Sequence, residues 1–189
     1  MFEDIVKKNR SYRRFYQDQS IDRETLLYLV NLARLTPSAS NMQSQKYILS
    51  CEPEMNARIF DTLAWAGYYT EWPGPDEGER PSAYIVIVLD TEISMNAGCD
   101  HGITSQTILL GAVEKGLGGC MLGAINRPKL REVLDLPERY EILLVVALGH
   151  PKEQIVIEDI SADGSVKYHR DENRVHHVPK RTLDEIVLG

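Results

Sequence analysis

The sequence predicts an α+β fold in which a sheet is covered by helices. Two continuous apolar runs, AYIVIVLD at 83–90 and YEILLVVALGHP at 140–151, are rich in aliphatic residues and indicate strands buried on both faces. Helical patterns occupy more of the chain than strands and lie among them, which is typical of this class. Because 189 residues with 43% hydrophobic content can bury a sizeable core, we expect a single domain over residues 1–189.

In the first half of the chain, the patterns predict helices over 2–8, 22–36 and 52–66 and a strand over 46–50. The second helix has the clearest ends, because Asp22 suits an N-cap and Pro37 cannot continue a helix. Ile21, just before the cap, is positioned to pack on Leu26 as a hydrophobic staple. A loop rich in glycine, proline and acidic residues follows at 72–82.

In the second half, the patterns predict a helix over 100–119 with a glycine cap at Gly116 or Gly118, a short strand over 120–125, a short helix over 127–137 and the strand at 140–151. Residues 152–179 are polar and weakly patterned, so we expect an extended excursion there. The stretch KRTLDEIVLG then closes the chain.

Composition and charge exclude several classes of protein. A net charge of −7 and a pI near 5.3 argue against nucleic acid as a partner, because a phosphate backbone needs a broad basic surface. No apolar run approaches the ~20 residues that cross a bilayer, and the acidic N-terminus is unlike an export signal, so we expect no membrane association and a cytoplasmic protein. The three cysteines and five histidines show neither disulfide nor metal-ligand spacing, so no metal site is expected.

A basic stretch, KKNRSYRRF at 7–15, stands out in this acidic chain, since five of its nine residues are cationic. A helical backbone would place Arg10, Arg13 and Arg14 on one face, whereas an extended backbone would group Ser11, Arg13 and Phe15. In either case two guanidinium groups and a hydroxyl can converge on a small anion such as phosphate, which arginine binds bidentately. The alternative is an ordinary solvated basic surface.

Three further stretches combine groups that suit a ligand. In TPSASNMQSQKY at 36–47, the amides of Asn41 and Gln43 suit the edge of a heterocycle, and the alternative is an ordinary loop. The glycines of GLGGCMLGAIN at 116–126 allow close backbone approach, or serve only as a helix cap and turn. Near the C-terminus, Lys180 and Arg181 complete the anion site or form a charged tail. No nucleophile motif is present, so no catalytic residue is assigned, and the pattern favours a bound cofactor that carries the reaction.

Taken together, the stretches NRSYRRF, PSASNMQ, GLGGCMLGAI and KRTLDEIV resemble the nitroreductase family of FMN-dependent NAD(P)H oxidoreductases. The resemblance rests on their order and spacing and covers essentially the whole chain. It implies a mixed, mainly antiparallel sheet flanked by helices and an intertwined homodimer with FMN in a cleft at the interface. It also implies that NADH or NADPH reduces FMN, which then reduces a nitroaromatic, quinone or enone.

The resemblance also assigns the cofactor-binding residues. The phosphate and ribityl chain are assigned to Arg10, Ser11 and Arg13, with Lys180 and Arg181 approaching the phosphate from the C-terminal end. Contacts with the flavin ring are assigned to Pro37, Ser38, Ala39, Asn41 and Gln43 from the partner subunit, and to Met121, Leu122 and Gly123, whose backbone N–H lies near flavin N5.

The sequence departs from the family pattern in two places. Asn9 is neutral where many relatives carry a basic residue, and the segment at 68–80 is short where larger members cover the active site. In this segment Tyr68, Tyr69 and Trp72 are available to stack on a substrate, although aromatic residues more often simply pack. Two other functions stay open, namely a different flavin reaction, such as dehalogenation or oxygen-dependent chemistry, and a flavin-binding module without turnover.

Overall fold

The computed structural model describes residues 1–162 and 164–189. Its helices are α1 (Phe2–Lys8), α2 (Arg23–Arg34), α3 (Pro53–Phe60), α4 (Asp100–Glu114), α5 (Arg127–Val133) and α6 (Leu183–Ile186). Its strands are β1 (Gln45–Ser50), β2 (Ala83–Asp90), β3 (Gly118–Leu122), β4 (Tyr140–Gly149), β5 (Ile155–Asp159), β6 (His169–Arg170) and β7 (His176–Lys180).

Four strands form an antiparallel sheet in the order β1-β2-β4-β3. Every residue of β2 is buried, which confirms that this strand is covered on both faces. Its alternate side chains enter two separate cores, since Ile85 and Ile87 pack in one and Val86 and Val88 in the other. The predicted α+β class is therefore confirmed.

Helices cover the two faces of this sheet. On one face, α2 contributes Leu26 and Leu29 and α4 contributes Ile108 to the first core. On the other face, α3 contributes Ile59 and α5 contributes Leu130 to the second core. The Asp22 side chain accepts a hydrogen bond of 2.7 Å from the Thr25 amide, which confirms the predicted N-cap of α2.

Two predicted helices are shorter than expected. The helix predicted over 52–66 ends at Phe60, because the following residues turn so that Leu63 pairs with Ile125 in an isolated bridge. The helix predicted over 100–119 ends at Glu114, and the chain turns at Gly116 with a φ of +74°. The Leu117 amide then bonds the Ala112 carbonyl at 2.8 Å, as a glycine-terminated helix requires.

The segment 152–179 contains most of a second, three-stranded sheet, whereas the sequence predicts only an extended excursion there. The strand order is β5-β7-β6, with β5 and β7 parallel and β6 and β7 antiparallel. The prediction missed these strands because they are short and half exposed, so they carry little apolar periodicity. Of the helices in the described residues, none is both long and apolar enough to cross a membrane.

A buried ion pair fixes the N-terminal basic stretch to the body of the protein. Arg14 is only 9% exposed, and its guanidinium donates two hydrogen bonds to the Glu79 carboxylate, one of them 2.6 Å long. Lys152 lies 3.0 Å from the same carboxylate. The hydrogen bonds from Arg14, followed by those from Lys152, lower the pKa of Glu79 from 4.5 to about 2.

We predict that Glu79→Gln destabilises the protein by roughly 3 kcal/mol at pH 7, because the folded pKa of Glu79 lies far below its unfolded value. This contribution is fully present above about pH 4.5 and is lost as the pH falls from 4.5 towards 2. Urea unfolding of both proteins between pH 3 and pH 7 measures the effect.

The control is Glu77→Gln, because the Glu77 side chain is 73% exposed, so its ion pair with Arg80 is open to solvent on one side. This variant should stay close to the wild type at every pH. Equal stability of Glu79→Gln and the wild type at pH 7 would contradict the role assigned to the Arg14–Glu79 pair.

Candidate functional site

From Asn9 onward the basic stretch is extended rather than helical, which decides between the two alternatives that the sequence left open. Ser11 forms a parallel bridge with Gly119 at the edge of β3, and the Tyr12 amide donates a 3.0 Å hydrogen bond to the Gly119 carbonyl. The Phe15 amide bonds the Glu79 carbonyl at 2.9 Å. Residues 9–15, called the basic arm below, are therefore fixed by backbone hydrogen bonds at both ends.

The arginines of the basic arm have different partners. Arg14 is neutralised by Glu79, whereas Arg10 and Arg13 form no ion pair with any described residue. Arg10 donates to the Val6 carbonyl at 2.9 Å, and Arg13 donates to the Ser11 carbonyl at 3.2 Å. Two of the three arginines therefore carry an uncompensated positive charge.

The Nε atoms of Arg10 and Arg13 are both buried, and neither has a hydrogen-bond partner among the described residues. Burial also lowers the pKa of Arg10, because a charged guanidinium is poorly solvated there. Buried polar groups are almost always paired in folded proteins, and buried charges especially so. The arrangement is therefore suited to an external anion with several oxygens, such as a phosphate.

Residues of the C-terminal segment hold Arg13 in place. The buried Glu153 carboxylate accepts a 2.5 Å hydrogen bond from the Arg13 amide and lies 3.1 Å from the Arg170 guanidinium. The Arg13 guanidinium lies over the Tyr168 ring at 5.1 Å. Sequence reasoning missed Glu153, Tyr168 and Arg170, because they fall in the weakly patterned region and meet the basic arm only through the tertiary fold.

The glycines at the start of β3 allow the basic arm to lie against this strand. A Cβ on Gly118 would come within 2.6 Å of the Tyr12 ring, and one on Gly119 within 2.5 Å of the Ala147 carbonyl oxygen. Either side chain would therefore push the arm or the neighbouring strand away.

The three ligand residues predicted at the end of β3 have different surroundings. Leu122 has its side chain in the second core, and the Met121 sulfur lies 3.4 Å from the Ser105 hydroxyl. Gly123 is exposed, and a Cβ placed on it would have no neighbouring atom closer than 3.9 Å. Of the three, Gly123 therefore leaves the most room for a ligand.

The predicted ring-binding loop, Pro37–Gln43, is attached to the start of α4. The Ser38 hydroxyl donates a 2.7 Å hydrogen bond to the buried Asp100 carboxylate, and the Ala39 amide donates to the same group at 3.2 Å. Asn41 and Gln43 have φ values of +54° and +49°, which non-glycine residues seldom adopt. A loop held in such a conformation, with both amide side chains exposed, is typical of a binding site.

A groove of about 1020 Å³ runs beside this loop. Its walls come from α2, the loop and the edge strand β1, and they include the predicted residues Pro37, Ser38 and Gln43. Most of the lining is apolar. The groove exposes one edge of the main sheet, because β1 has no neighbour on that side in the described residues.

The second predicted cationic pair lies apart from the basic arm. Lys180 is the exposed last residue of β7, and the Arg181 guanidinium lies 3.4 Å from the Glu185 carboxylate. Among the described contacts, none joins either residue to Arg10 or Arg13, or joins the loop Pro37–Gln43 to the basic arm. One chain therefore places Ser11 of the basic arm against β3, the strand that holds Met121 and Leu122. It shows no contact of the arm with Lys180, Arg181 or the loop Pro37–Gln43 among the described contacts.

The aromatic residues of the short segment at 68–80 pack mainly inward. The Tyr69 hydroxyl lies 3.0 Å from Nδ1 of His176, a residue that is 2% exposed. Burial lowers the pKa of His176 to about 4, so the ring is neutral at pH 7. Trp72 packs against Tyr69, whereas Tyr68 is half exposed and is the aromatic side chain of this group most open to a ligand.

Comparisons with known proteins identify several relatives of this chain. An Archaeoglobus fulgidus protein provisionally named an NADH dehydrogenase/NAD(P)H nitroreductase is 29% identical over 158 residues, which cover 79% of this chain and 85% of its own length. The FMN reductase (NADPH) of Bacillus subtilis is 28% identical over 166 residues, covering 78% of this chain and 65% of its own.

A solved nitroreductase family protein from Streptococcus pneumoniae superposes with a TM-score of 0.73 over all of both chains. The two sequences are 17% identical, so this likeness concerns the fold alone. The family model for nitroreductases matches residues 6–77 and 79–150, which is well over half of the chain and includes the basic arm, the loop Pro37–Gln43 and β3. The chain belongs to the nitroreductase family.

Proposed function

We propose that the chain is an FMN-dependent oxidoreductase that uses NAD(P)H to reduce an electron-poor acceptor of the nitroaromatic, quinone or enone class. The proposal treats residues 1–189 as one FMN-binding domain. The observation that carries it is that Arg10 and Arg13 have buried, unpaired guanidinium Nε atoms and also form no ion pair with a described residue. Arg80 and Arg170, whose Nε atoms are likewise unpaired, are each paired with a carboxylate. The names of relatives support the same chemistry, since one is an FMN reductase that uses NADPH and another is named for NAD(P)H nitroreductase activity.

The residues of the basic arm fit the phosphate group of FMN. Two guanidinium groups and the exposed Ser11 hydroxyl supply donors to a group that is nearly doubly charged at neutral pH. The arm is fixed by Gly119 and Glu79, so binding does not have to order it first. Bound FMN supplies the redox chemistry, because it accepts hydride from a nicotinamide and passes electrons to an acceptor.

The chain's own residues would position the cofactor and the acceptor. Met121 and Gly123 lie at the end of β3, which begins beside the arm, and the exposed backbone at Gly123 leaves room for a ring to approach. Backbone N–H groups near the flavin ring would favour the reduced, negatively charged form of FMN. The half-exposed Tyr68 would offer a stacking surface for an acceptor.

The same proposal requires a second copy of the chain. In one chain the loop Pro37–Gln43 is held by Asp100 and makes no described contact with the arm, so its amides can meet the cofactor of another copy. Large apolar side chains are exposed on α1, α2 and the C-terminal segment, namely Phe2, Val6, Leu27, Leu35, Leu183, Ile186, Val187 and Leu188. Exposed apolar side chains of this kind and the open edge of β1 are suited to burial in an extensive homodimer interface.

Replacing both Arg10 and Arg13 by alanine should release FMN while leaving the fold intact. Each charged hydrogen bond to the phosphate contributes on the order of 1.5–3 kcal/mol, so FMN affinity should fall by at least about 100-fold. Flavin fluorescence titration of the apoprotein measures this change, and light scattering checks that the oligomeric state is unaltered.

The matched control is Arg58→Ala, because Arg58 is an exposed arginine on α3, away from the basic arm. It should bind FMN as the wild type does. A double variant that keeps full FMN affinity would refute the phosphate assignment.

Anaerobic mixing of the FMN-loaded protein with NADH or NADPH should abolish the visible flavin absorbance. A nitroaromatic, a quinone or an enone should then restore it, and steady-state rates should give parallel double-reciprocal lines. Flavin that is bound but never reduced would instead favour the module without turnover. Flavin that is reduced but reoxidised by none of these acceptors would favour a different flavin reaction.

A further inference from the structure

Three metal-ligating side chains from three strands meet on one face of the three-stranded sheet. In the parallel pair of β5 and β7, Val156 lies opposite His177, so Glu158, two residues further on, shares the face of His177. In the antiparallel pair of β6 and β7, His169 lies directly opposite His177. The topology therefore places a carboxylate and two imidazoles side by side.

The contacts within this cluster are close. The rings of His169 and His177 are stacked, with centroids 4.8 Å apart and planes within 9° of each other. Nδ1 of His177 lies 2.9 Å from the Glu158 carboxylate. One ligand atom from each of the three residues lies within 4.8 Å of the other two.

This spacing is near what a metal ion needs. Ligand atoms bound to one tetrahedral ion at bond lengths of about 2.0–2.1 Å are about 3.4 Å apart. Closing a gap of up to 4.8 Å takes a contraction of about 1.4 Å, which rotation of the side chains can supply. His169 is exposed and Glu158 and His177 are half buried, so an ion can reach the cluster without a change of the backbone.

A nearby acid is placed to orient one of the ligands. The Nε2 atom of His177 is buried and has no hydrogen-bond partner among the described residues, but the Asp171 carboxylate lies 3.7 Å from it. Backbone amides of Asn173 and Val175 hold this carboxylate at 3.0 and 2.8 Å. A carboxylate that accepts a hydrogen bond from one ring nitrogen of a histidine fixes the position of the ring proton. The other ring nitrogen can then bind a metal.

We propose that Glu158, His169 and His177 bind a divalent transition ion of the Zn²⁺ type, with Asp171 positioning His177. Two imidazoles and one carboxylate favour such an ion over Mg²⁺ or Ca²⁺, which prefer sets of oxygen ligands. The ion would connect all three strands of the small sheet. The site is separate from the proposed flavin function and does not depend on it.

The position of the site gives it a structural consequence. Tyr168 and His176 precede His169 and His177 in the chain, and they lie on the opposite side, in contact with Arg13 and Tyr69 respectively. Strand residues alternate between faces, so an ion that fixes one face also fixes the residues on the other. Metal binding would therefore stiffen the sheet that supports Arg13.

The test uses the full-length, FMN-loaded protein without an affinity tag, stripped of metal with EDTA and dialysed. Calorimetric titration with Zn²⁺ should show one ion per chain, and Mg²⁺ should show no binding. Co²⁺ should produce visible ligand-field bands. Zn²⁺ should also raise the melting temperature of the wild type.

His169→Ala and Glu158→Gln should each weaken Zn²⁺ binding by more than about 100-fold. Loss of a residue that only supports a metal ligand costs roughly 10–100-fold, so a larger effect is expected for a residue that binds the ion directly. His101→Ala, which removes a histidine of α4 outside the cluster, should bind Zn²⁺ as the wild type does. Because His169 is exposed, its replacement leaves the core untouched. Absence of stoichiometric binding in the wild type, or equal binding in the wild type and His169→Ala, would overturn the proposal.

Discussion

The basic arm at residues 9–15 and the way it is held determine the rest of the candidate site. Its backbone is bonded to Gly119 on one side and to Glu79 on the other, so its conformation is set by the main sheet and the segment before β2. Glu79 neutralises one arginine and leaves Arg10 and Arg13 without a carboxylate partner in the described residues. Two cations held in this way would suit the proposed phosphate site, because binding would not have to order the arm first.

The proposed site would draw on two further parts of the protein: the C-terminal segment of the same chain and the loop Pro37–Gln43 of a second copy. Within one chain, the C-terminal segment reaches the arm through Glu153 and Tyr168, which contact the backbone and the guanidinium of Arg13. The loop Pro37–Gln43 is held by Asp100, beside the groove at β1. The exposed apolar side chains of α1, α2 and the C-terminal segment suit burial against another copy, which would bring the two parts together.

Much of the fold could be predicted from the sequence, because its central strands and the N-cap of α2 have strong local signals. The signals failed where tertiary contacts decide the structure, as at Phe60, where the chain leaves the helix so that Leu63 can pair with Ile125. In the same way, the residues of the arm were identified, but its extended conformation depends on β3. The cluster of Glu158, His169 and His177 has no recognisable spacing, because its members come from three strands.

The most direct test of the central claim compares the affinity of the apoprotein for FMN and for riboflavin, which lacks the phosphate. If Arg10 and Arg13 bind that phosphate, the wild type should prefer FMN by at least about 100-fold, and a variant lacking both arginines should bind the two ligands alike. Equal affinity of the wild type for FMN and riboflavin would contradict the account.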